Sequence, residues 1–277
     1  MISELKKRDF HKCKRILNER GQVEAKAVIA GINPGRIFVD NLDTPRSGLI
    51  WLGNNDGFIF IGDENNEQFH LELNSFIDAV IAPDARRIGL QWFEGIGNHE
   101  GWDITIKRLL NQRKLSSWLQ RVYELPKEKY KQEREPELEG GYTVHKITET
   151  LYENKDNSIQ NIDFLHNTIV WSWTSTDQFF SKGIGYCIVH KNEIVSICST
   201  SFVFENVQCI GIETLQAHQG KKLATIAAHR FVKDCFENDR VPYWDCMDMN
   251  KPSIAVAEHL GFCRTFNYMG HAFSFEE

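Results

Sequence analysis

The segment from Val207 to Thr225 has the residue types of an anion-binding turn. Val207–Leu215 alternates well enough to predict a strand, and from Leu223 the apolar side chains recur at helical spacing. The loop between them carries Gly220, Lys221 and Lys222. Unpaired N–H groups and about half a positive charge gather at a helix N-terminus, so this turn could hold a diphosphate. The GxxxxGK[ST] pattern of a Walker loop is absent, and two lysines at a helix start are also common on a solvated surface.

Three further motifs follow this helix in a fixed order. They are Tyr243-Trp244-Asp245-Cys246, then Asn250-Lys251-Pro252-Ser253, then Ala257-Glu258-His259-Leu260-Gly261-Phe262. Pro252 suits a first helical turn and Gly261 suits a helix C-terminus. The predicted order is therefore strand, phosphate loop, helix, strand, short helix and final strand.

This ordered set resembles the GNAT superfamily of acyl-CoA-dependent N-acyltransferases. Gln219–Ala224 resembles its Arg/Gln-x-x-Gly-x-Gly/Ala loop, and Asn250-x-x-Ser253 with Leu260-Gly261-Phe262 resembles its Asn-x-x-Ala/Ser…Gly-Phe segment. Trp244-Asp245-Cys246, with Asn250-x-x-Ser253 and Ala257–Phe262, is similar to the zwittermicin-resistance-type acetyltransferases. Asn33–Asp40 is similar to the opening segment of that type. The resemblance covers both halves of the chain and implies a mixed, mostly antiparallel α/β sheet flanked by helices, duplicated as two lobes.

The resemblance also implies acetyl-CoA as cosubstrate and assigns residues to it. Its pantetheine arm would pair with the backbone at the end of the strand, where one N–H would hold the thioester oxygen, and the diphosphate would rest on the loop amides. The expected cofactor-binding residues are Ile212, Thr214, Leu215, Gln219, Gly220, Lys221, Lys222, Leu223, Ala224, Thr225, Asn250 and Ser253.

Two positions depart from the family pattern. Lys222 stands where the loop usually has its middle glycine, so a positive φ there would cost more than for glycine. Ala257 stands where many members carry the tyrosine that protonates the leaving thiolate. Either another group supplies that proton or none is needed.

The amine must lose a proton, which calls for a carboxylate or histidine near the thioester. Glu213, directly before the loop, is the first candidate base and Asp245 is the second. Tyr243 and Cys246 are candidates for the acid, although core packing is the more common role of such a cysteine. Each carboxylate has an ordinary alternative, a surface position for Glu213 and a backbone hydrogen bond for Asp245. His218 is a weaker candidate, for base or phosphate contact.

Other reactive or aromatic residues give less specific signals. The seven cysteines contain no CxxC pair and the ten histidines have no metal-ligand spacing, so no metal is expected. Trp171 and Trp173, with Phe179 and Phe180, predict either core packing or a wall of the acceptor pocket.

The 277 residues suffice for about two domains. Nine of the thirteen residues in Lys127–Glu139 are charged, which predicts a solvated linker or a surface helix end between lobes 1–135 and 139–277. The first lobe would be a degenerate copy, because its acidic turn Gly62–Glu67 would repel a diphosphate. The second lobe would be the catalytic domain.

Each lobe shows strands, a helix, a strand and a helix. In the first lobe, a helix over residues 3–20 precedes short apolar runs at 24–32, 36–39, 48–52 and 58–61, a helix over 69–80, a strand at 90–93 and a helix over 102–110. In the second, strands at 142–147, 186–189, 194–204 and 207–215 enclose helices near 162–172 and 176–180. A helix over 221–236, a strand at 242–247, a helix over 253–260 and the aromatic segment 262–275 follow.

Composition and net charge limit the kinds of partner that the protein is expected to bind. A net charge of −6 argues against a dedicated nucleic-acid binder, and neither a membrane span nor a signal peptide is evident, so a cytoplasmic protein is expected. The expected function is acetyl transfer to a small-molecule amine in a ternary complex, and the acidic balance would suit a polyamine or an aminoglycoside-like acceptor. A non-catalytic CoA-binding relic and an aminoacyl-tRNA-dependent transferase are the alternatives, and a homodimer is left open.

Overall fold

A computed structural model describes residues 1–276, which form two compact units. Unit 1 consists of Met1–Gln120 together with the chain from Asn267 onward, and unit 2 consists of Arg121–Phe266. This division differs from the predicted lobes 1–135 and 139–277. The C-terminal residues return to unit 1 because Gly270–Ser274 pairs with a strand of that unit.

The described residues contain twelve strands and nine α-helices. The strands are β1 Ser3–Glu4, β2 Gly35–Val39, β3 Ser47–Leu52, β4 Phe58–Gly62, β5 Trp92–Gly97, β6 Ser116–Glu124, β7 Tyr142–Lys146, β8 Gly185–His190, β9 Glu193–Phe204, β10 Val207–Thr214, β11 Val241–Met247 and β12 Cys263–Ser274. The helices are α1 Val23–Ile29, α2 Glu67–Phe76, α3 Ala82–Arg87, α4 Gly101–Leu109, α5 Glu149–Glu153, α6 Ile162–Ser172, α7 Thr176–Lys182, α8 Leu223–Glu237 and α9 Lys251–Leu260.

The sheet of unit 1 has the order β1-β2-β3-β4-β5, followed by the end of β12. All neighbouring strands are antiparallel except β4 and β5, which are parallel. Helices α2, α3 and α4 pack on this sheet over an aromatic core, in which the Phe93 ring stacks on Phe58 at 4.4 Å and on Phe273 at 4.9 Å between centroids.

The sheet of unit 2 has the order β6-β11-β10-β9-β8-β7. It is antiparallel from β10 to β7, and β10 and β11 are parallel. Helices α8 and α9 bury Phe231, Ala227 and Leu260 against one face of the sheet, and α6 packs on β9. The predicted fold class, a mixed and mostly antiparallel α/β sheet flanked by helices, is confirmed.

Several elements differ from the predicted ones. The apolar run 24–32 forms helix α1 instead of a strand, because a short buried run does not distinguish the two. Residues 7–16 form a 3₁₀ helix inside the predicted N-terminal helix. Strand β6 has no predicted counterpart.

The charged segment Lys127–Glu139 is not a linker between the units, since it lies inside unit 2. It forms two short 3₁₀ turns, Lys127–Lys129 and Gln132–Arg134. Tyr130 packs against the core of unit 2, and Glu135 forms a 2.7 Å ion pair with Arg230 of α8. Its charged side chains therefore face solvent while a few apolar ones hold the segment to the unit.

Candidate functional site

Strands β10 and β11 separate part of the way along their length. They pair in parallel over only three residue pairs, from Val207 with Val241 to Cys209 with Tyr243. Both strands then continue without pairing to each other, β10 to Thr214 and β11 to Met247. A gap therefore opens in the sheet directly before the predicted phosphate loop.

The backbone of β10 directs hydrogen-bonding groups into this gap. The N–H of Leu215 donates to Val195 O at 2.9 Å, so it points toward β9. Because successive residues of a strand direct their N–H groups to opposite sides, the N–H groups of Ile212 and Thr214 point away from β9. The N–H of Leu215, predicted to pair with the pantetheine arm, is instead bonded to β9, so this donor is not directed into the gap. Ile212 and Thr214 stay candidates for pairing with the pantetheine arm through their N–H groups.

A cavity of about 690 Å³, here called the loop cavity, fills this gap. Nearly all of its residues come from the end of β10, the following loop and the first turns of α8 and α9. Its lining residues are Ile212, Glu213, Thr214, His218, Gln219, Gly220, Lys222, Leu223, Ala224, Thr225, Trp244, Asn250, Pro252, Ser253 and Val256.

The N-terminus of α8 presents free donors to the loop cavity. This helix has fifteen residues, and no side chain caps its N-terminus. Gly220 has a φ of +78° and Lys222 a φ of +60°, so the loop turns back at both positions. The amides of Leu223, Ala224 and Thr225 therefore lack helical partners where they line the cavity, which is the arrangement that binds phosphate groups.

The two loop lysines have different surroundings. Lys222 lines the loop cavity, whereas Lys221 Nζ donates to the Tyr142 hydroxyl at 2.7 Å and is absent from the lining. The Tyr142 oxygen also lies 3.0 Å from His218 Nδ1. A lysine can only donate, so Tyr142 accepts from Lys221, and its own proton is available to His218 Nδ1. Burial, Lys221 and His190 all lower the pKa of His218, in keeping with a neutral ring.

The start of α9 is held by its own side chains. Asn250 Oδ1 caps the helix by accepting from the N–H of Ser253 at 3.2 Å, and Trp244 Nε1 donates to Ser253 Oγ at 2.9 Å. Both predicted residues line the loop cavity, but these hydrogen bonds give each a structural task as well. Ala257 is fully buried and absent from the lining, so no acid group stands at the usual tyrosine position.

A second cavity of about 380 Å³, the helix cavity, lies beside the first. One face of α6 forms its wall, at positions i, i+3, i+4, i+7 and i+8. Alternate residues of β9 and three consecutive residues of β10 form its floor. The lining residues are Phe164, Asn167, Thr168, Trp171, Ser172, Ile197, Ser199, Ser201, Gly211, Ile212 and Glu213.

Glu213 lines both cavities. Its side chain is exposed, and its carbonyl oxygen accepts from Ser196 Oγ at 3.2 Å, which holds the strand end in place. Ser196 Oγ also lies 2.8 Å from Thr214 Oγ1. A carboxylate therefore stands between two adjoining spaces, each of which could hold a reactant.

The other predicted catalytic residues do not line either cavity. Trp244 faces the loop cavity, so its neighbours Tyr243 and Asp245 have side chains on the opposite face of β11. Tyr243 is buried, and Asp245 is half-buried. Cys246 is buried in the core, where burial raises the pKa of its thiol. The structure therefore brings only Glu213, of the three predicted catalytic residues, to the cavities.

Several lining residues have no counterpart in the prediction, notably Trp244 in the loop cavity and the α6, β9 and Gly211 positions in the helix cavity. The periodicity of polar and aromatic residues along α6 is a sequence signal that marks its lining face. The two tryptophans of the aromatic stretch have different surroundings. Trp171 is 52% exposed and lines the helix cavity, whereas Trp173 is buried and donates to Thr200 O at 2.9 Å.

Unit 1 contains a similar pair of parallel strands, but the helix that follows β4 has a capped N-terminus. Strands β4 and β5 also pair in parallel over three residue pairs, Phe58–Phe60 with Gly95–Gly97. However, the side chain of Asn66 caps the N-terminus of α2 and Glu67 occupies its first turn. A cavity of about 820 Å³ lies near this strand end, but its Arg46 is paired with Asp63 at 2.7 Å. The start of α2 therefore differs from the uncapped start of α8.

Two features are absent from residues 1–276. No group of three or more His, Cys, Asp or Glu side chains is arranged to hold a metal ion. No helix within the same range is long and apolar enough to cross a membrane.

Comparisons with known proteins agree with this geometry. Over 272 residues the chain is 27% identical to an uncharacterized N-acetyltransferase, YdfB, of Bacillus subtilis (strain 168), covering 97% of both chains. A GCN5-related N-acetyltransferase-like protein from Streptococcus suis has the same fold, with a TM-score of 0.70 and 18% identity over 96% of this chain and 98% of that one.

A tandem GNAT protein from the clavulanic acid biosynthesis pathway also shares the fold, with a TM-score of 0.61 and 11% identity over 99% of both chains. This similarity supports the prediction of two lobes. The family model described as GNAT acetyltransferase matches residues 14–271, nearly the whole chain. The chain therefore belongs to the GNAT acetyltransferase family and is an acetyltransferase.

Proposed function

We propose that unit 2 transfers the acetyl group of acetyl-CoA, bound in the loop cavity, to the amine of a small molecule bound in the helix cavity. The observation that carries this proposal is the position of Glu213, which lines both cavities. Acetyl-CoA is the usual acyl donor of the family. A carboxylate between donor and acceptor is where a base for the attacking amine is needed.

The residues of the loop cavity fit acetyl-CoA. The uncapped amides of Leu223, Ala224 and Thr225 would hold its diphosphate, with the Lys222 ammonium nearby. The N–H groups of Ile212 and Thr214 would pair with the pantetheine arm. Bound there, acetyl-CoA supplies an activated thioester.

In the proposed mechanism, Glu213 accepts a proton from the acceptor ammonium group. The freed amine nitrogen forms the new bond to the thioester carbon, and the N–H of Ile212 donates to the carbonyl oxygen as negative charge develops there. The carbon–sulfur bond then breaks while the amide nitrogen gives its second proton to a water molecule, and CoA leaves as a thiolate that takes a proton from the same water. Water is the proposed source because Ala257 replaces the usual tyrosine and Tyr243 and Asp245 lie on the other face of β11.

The cofactor assignment is tested by reversing the charge of each loop lysine separately. We expect Lys222→Glu to weaken acetyl-CoA binding at least about 10-fold, because it places a carboxylate beside the diphosphate. Lys221→Glu should have a smaller effect, since Lys221 is bonded to Tyr142 outside the cavity lining. Isothermal titration calorimetry measures both, with Lys233→Glu of α8 as a control. Wild-type protein that fails to bind acetyl-CoA would refute the proposal.

The base assignment is tested with Glu213→Gln, which keeps the size of the side chain. We expect kcat to fall by about 10²–10⁴-fold, with acetyl-CoA affinity retained. Glu205→Gln, in an exposed turn of unit 2, is the matched control. An unchanged kcat in Glu213→Gln would assign the base to another group.

Within the family, we also propose that the chain is of the zwittermicin-resistance type. The support is the set of motifs Trp244-Asp245-Cys246, Asn250-x-x-Ser253 and Ala257–Phe262, together with Asn33–Asp40. This proposal concerns relationship within the family, and the acceptor is argued separately below.

A further inference from the structure

We infer that the acceptor is a lipophilic primary amine that carries one positive charge and no carboxylate or phosphate group. This inference rests on the proposed function, because it takes the helix cavity as the acceptor site. It names the substrate class from the charge, the apolar surface and the size of that cavity.

The charge of the helix cavity is the first argument. Among the residues that line it, Glu213 is the only one with an ionisable side chain, and Lys, Arg and His are absent from that lining. A carboxylate or phosphate on the acceptor would enter beside the Glu213 carboxylate with no cation to pair with, which is costly. Amino acids and phosphorylated amino sugars therefore fit poorly.

The single carboxylate also limits how many positive charges the cavity can pair. Glu213 is assigned to the reacting amine, so further ammonium groups of a polyamine or an aminoglycoside-like compound would find no second carboxylate in the lining. The net charge of the whole chain, which suits a polycation, is not concentrated here. One ammonium group is the number that the cavity can neutralise.

The walls indicate what the rest of the acceptor is like. Phe164 and Trp171 lie about two turns apart on the same face of α6, and Trp171 leaves 52% of its surface exposed. An exposed indole beside a cavity offers stacking to an aromatic or branched body. Ser199 and Ser201 line the floor and add neutral groups, which tolerate a hydroxyl on that body.

The size of the cavity sets the scale of the acceptor. Its 380 Å³ lies near the lower end of the roughly 300–1,000 Å³ typical of small-molecule sites. It is little more than half the 690 Å³ of the loop cavity. An amine of the size of phenylethylamine or tyramine fits this scale.

The test compares amines with their α-carboxylate counterparts, so that only the acidic group differs. Acetyl transfer to tyramine and tyrosine, and to phenylethylamine and phenylalanine, is followed by release of the CoA thiol. We expect kcat/KM for each amine to exceed that of its amino acid at least about 100-fold, because like charges side by side are strongly disfavoured. Spermidine, the polyamine comparison, should also be at least about 10-fold poorer than tyramine.

Substitutions of Trp171 test the wall directly. Trp171→Ala should raise the KM for tyramine about 10-fold without changing acetyl-CoA affinity, and Trp171→Arg should raise the tyrosine/tyramine ratio at least about 10-fold by supplying a cation. Val170→Ala is the matched control, because Val170 is equally exposed on the same helix (56%) but does not line the cavity.

The outcomes separate this inference from the proposed function. If the protein binds acetyl-CoA and acetylates spermidine or tyrosine better than tyramine, the substrate class is wrong and the proposed function stands. If acetyl-CoA binds but tyramine neither reacts nor binds in a calorimetric titration, the inference is likewise overturned. Failure of acetyl-CoA itself to bind refutes the proposed function.

Discussion

At the scale of single residues, Lys222 combines two properties that usually belong to different residues. Its backbone adopts the left-handed conformation, with φ +60° and ψ 16°, which favours glycine. Its side chain nevertheless lines the loop cavity, where a positive charge is useful. The loop therefore has an unfavourable backbone conformation at the same position that carries the positive charge.

The cost of the left-handed backbone at Lys222 can be measured by comparing Lys222→Gly with Lys222→Ala, because both variants lack the charge. Only glycine adopts the left-handed conformation freely, so we expect Lys222→Gly to have a free energy of unfolding about 1 kcal/mol higher than Lys222→Ala. Urea denaturation monitored by circular dichroism gives the difference. Equal stabilities would mean that the loop takes another conformation at this position.

Neighbouring residues with similar side chains can have unlike roles, as Lys221 and Lys222 show. The sequence places both beside the predicted diphosphate, but the contact of Lys221 with Tyr142 joins residues 79 positions apart in the chain. Tyr142 lies on β7, in a segment whose pairing with this loop no local pattern indicates. Only the folded chain separates the two lysines.

At the scale of elements, Asn250 both caps helix α9 and lines the loop cavity. Because its Oδ1 accepts from the N–H of Ser253, we expect Asn250→Ala to lower the free energy of unfolding by about 1 kcal/mol. Asn250→Asp keeps an acceptor at the cap and should restore the stability. Chemical denaturation measures both variants.

The same pair of variants separates capping from cofactor binding. If Asn250 acts on acetyl-CoA only by holding the start of α9, Asn250→Asp should retain most of the affinity. An Asn250→Asp variant with normal stability that has lost acetyl-CoA binding would instead indicate a direct contact of the side-chain amide.

The elements around the loop were predictable because their signals are local. The alternation in 207–215, the loop glycine and the helical spacing after Leu223 follow one another directly, and the structure has β10 and α8 there. Pro252 and Gly261 similarly mark the ends of α9. By contrast, α1 is a short buried run with no period to identify it, and the apolar side chains of β6 come in adjacent pairs and do not alternate.

The helix cavity could not be predicted because its residues meet only in the folded chain. The wall residue Trp171 comes from α6, and the floor residues Ser199 and Gly211 come from β9 and β10, where the register places them opposite each other. Local patterns assign each residue to a face of its own element, but they do not indicate which faces meet. The same limit applies to Tyr243 and Asp245, which were predicted as residues of the strand beside β10 and have their side chains on the face of β11 opposite Trp244.

At the scale of the whole molecule, the C-terminal segment completes unit 1. Phe273 stacks on Phe93, and Phe275 lies edge-on to the same ring at 6.3 Å. We expect Phe273→Ala to destabilise unit 1 by roughly 3–5 kcal/mol, because it leaves a cavity in an aromatic core. Hydrogen–deuterium exchange should show lost protection in β4 and β5, while α8 in unit 2 keeps its protection.

The matched control is Glu276→Ala, an exposed residue of the same segment. Removal of everything after Phe266 should reproduce the effect more strongly, because it also deletes the pairing of β12 with β5. Unaltered exchange in β5 after that truncation would show that unit 1 is stable without its last strand.

Because the C-terminal strand belongs to unit 1, the ribosome makes the last strand of unit 1 only after it has made unit 2. Between Gln120 and Asn267 the ribosome must make the 146 residues of unit 2, which at about 5–20 residues per second takes roughly 7–30 s. Throughout that interval β5 has an open edge and Phe93 lacks two of its aromatic neighbours. The nascent chain thus offers an unpaired strand and an apolar surface to chaperones or to other nascent chains. In the cell, the half that is translated first is therefore the half that finishes folding last.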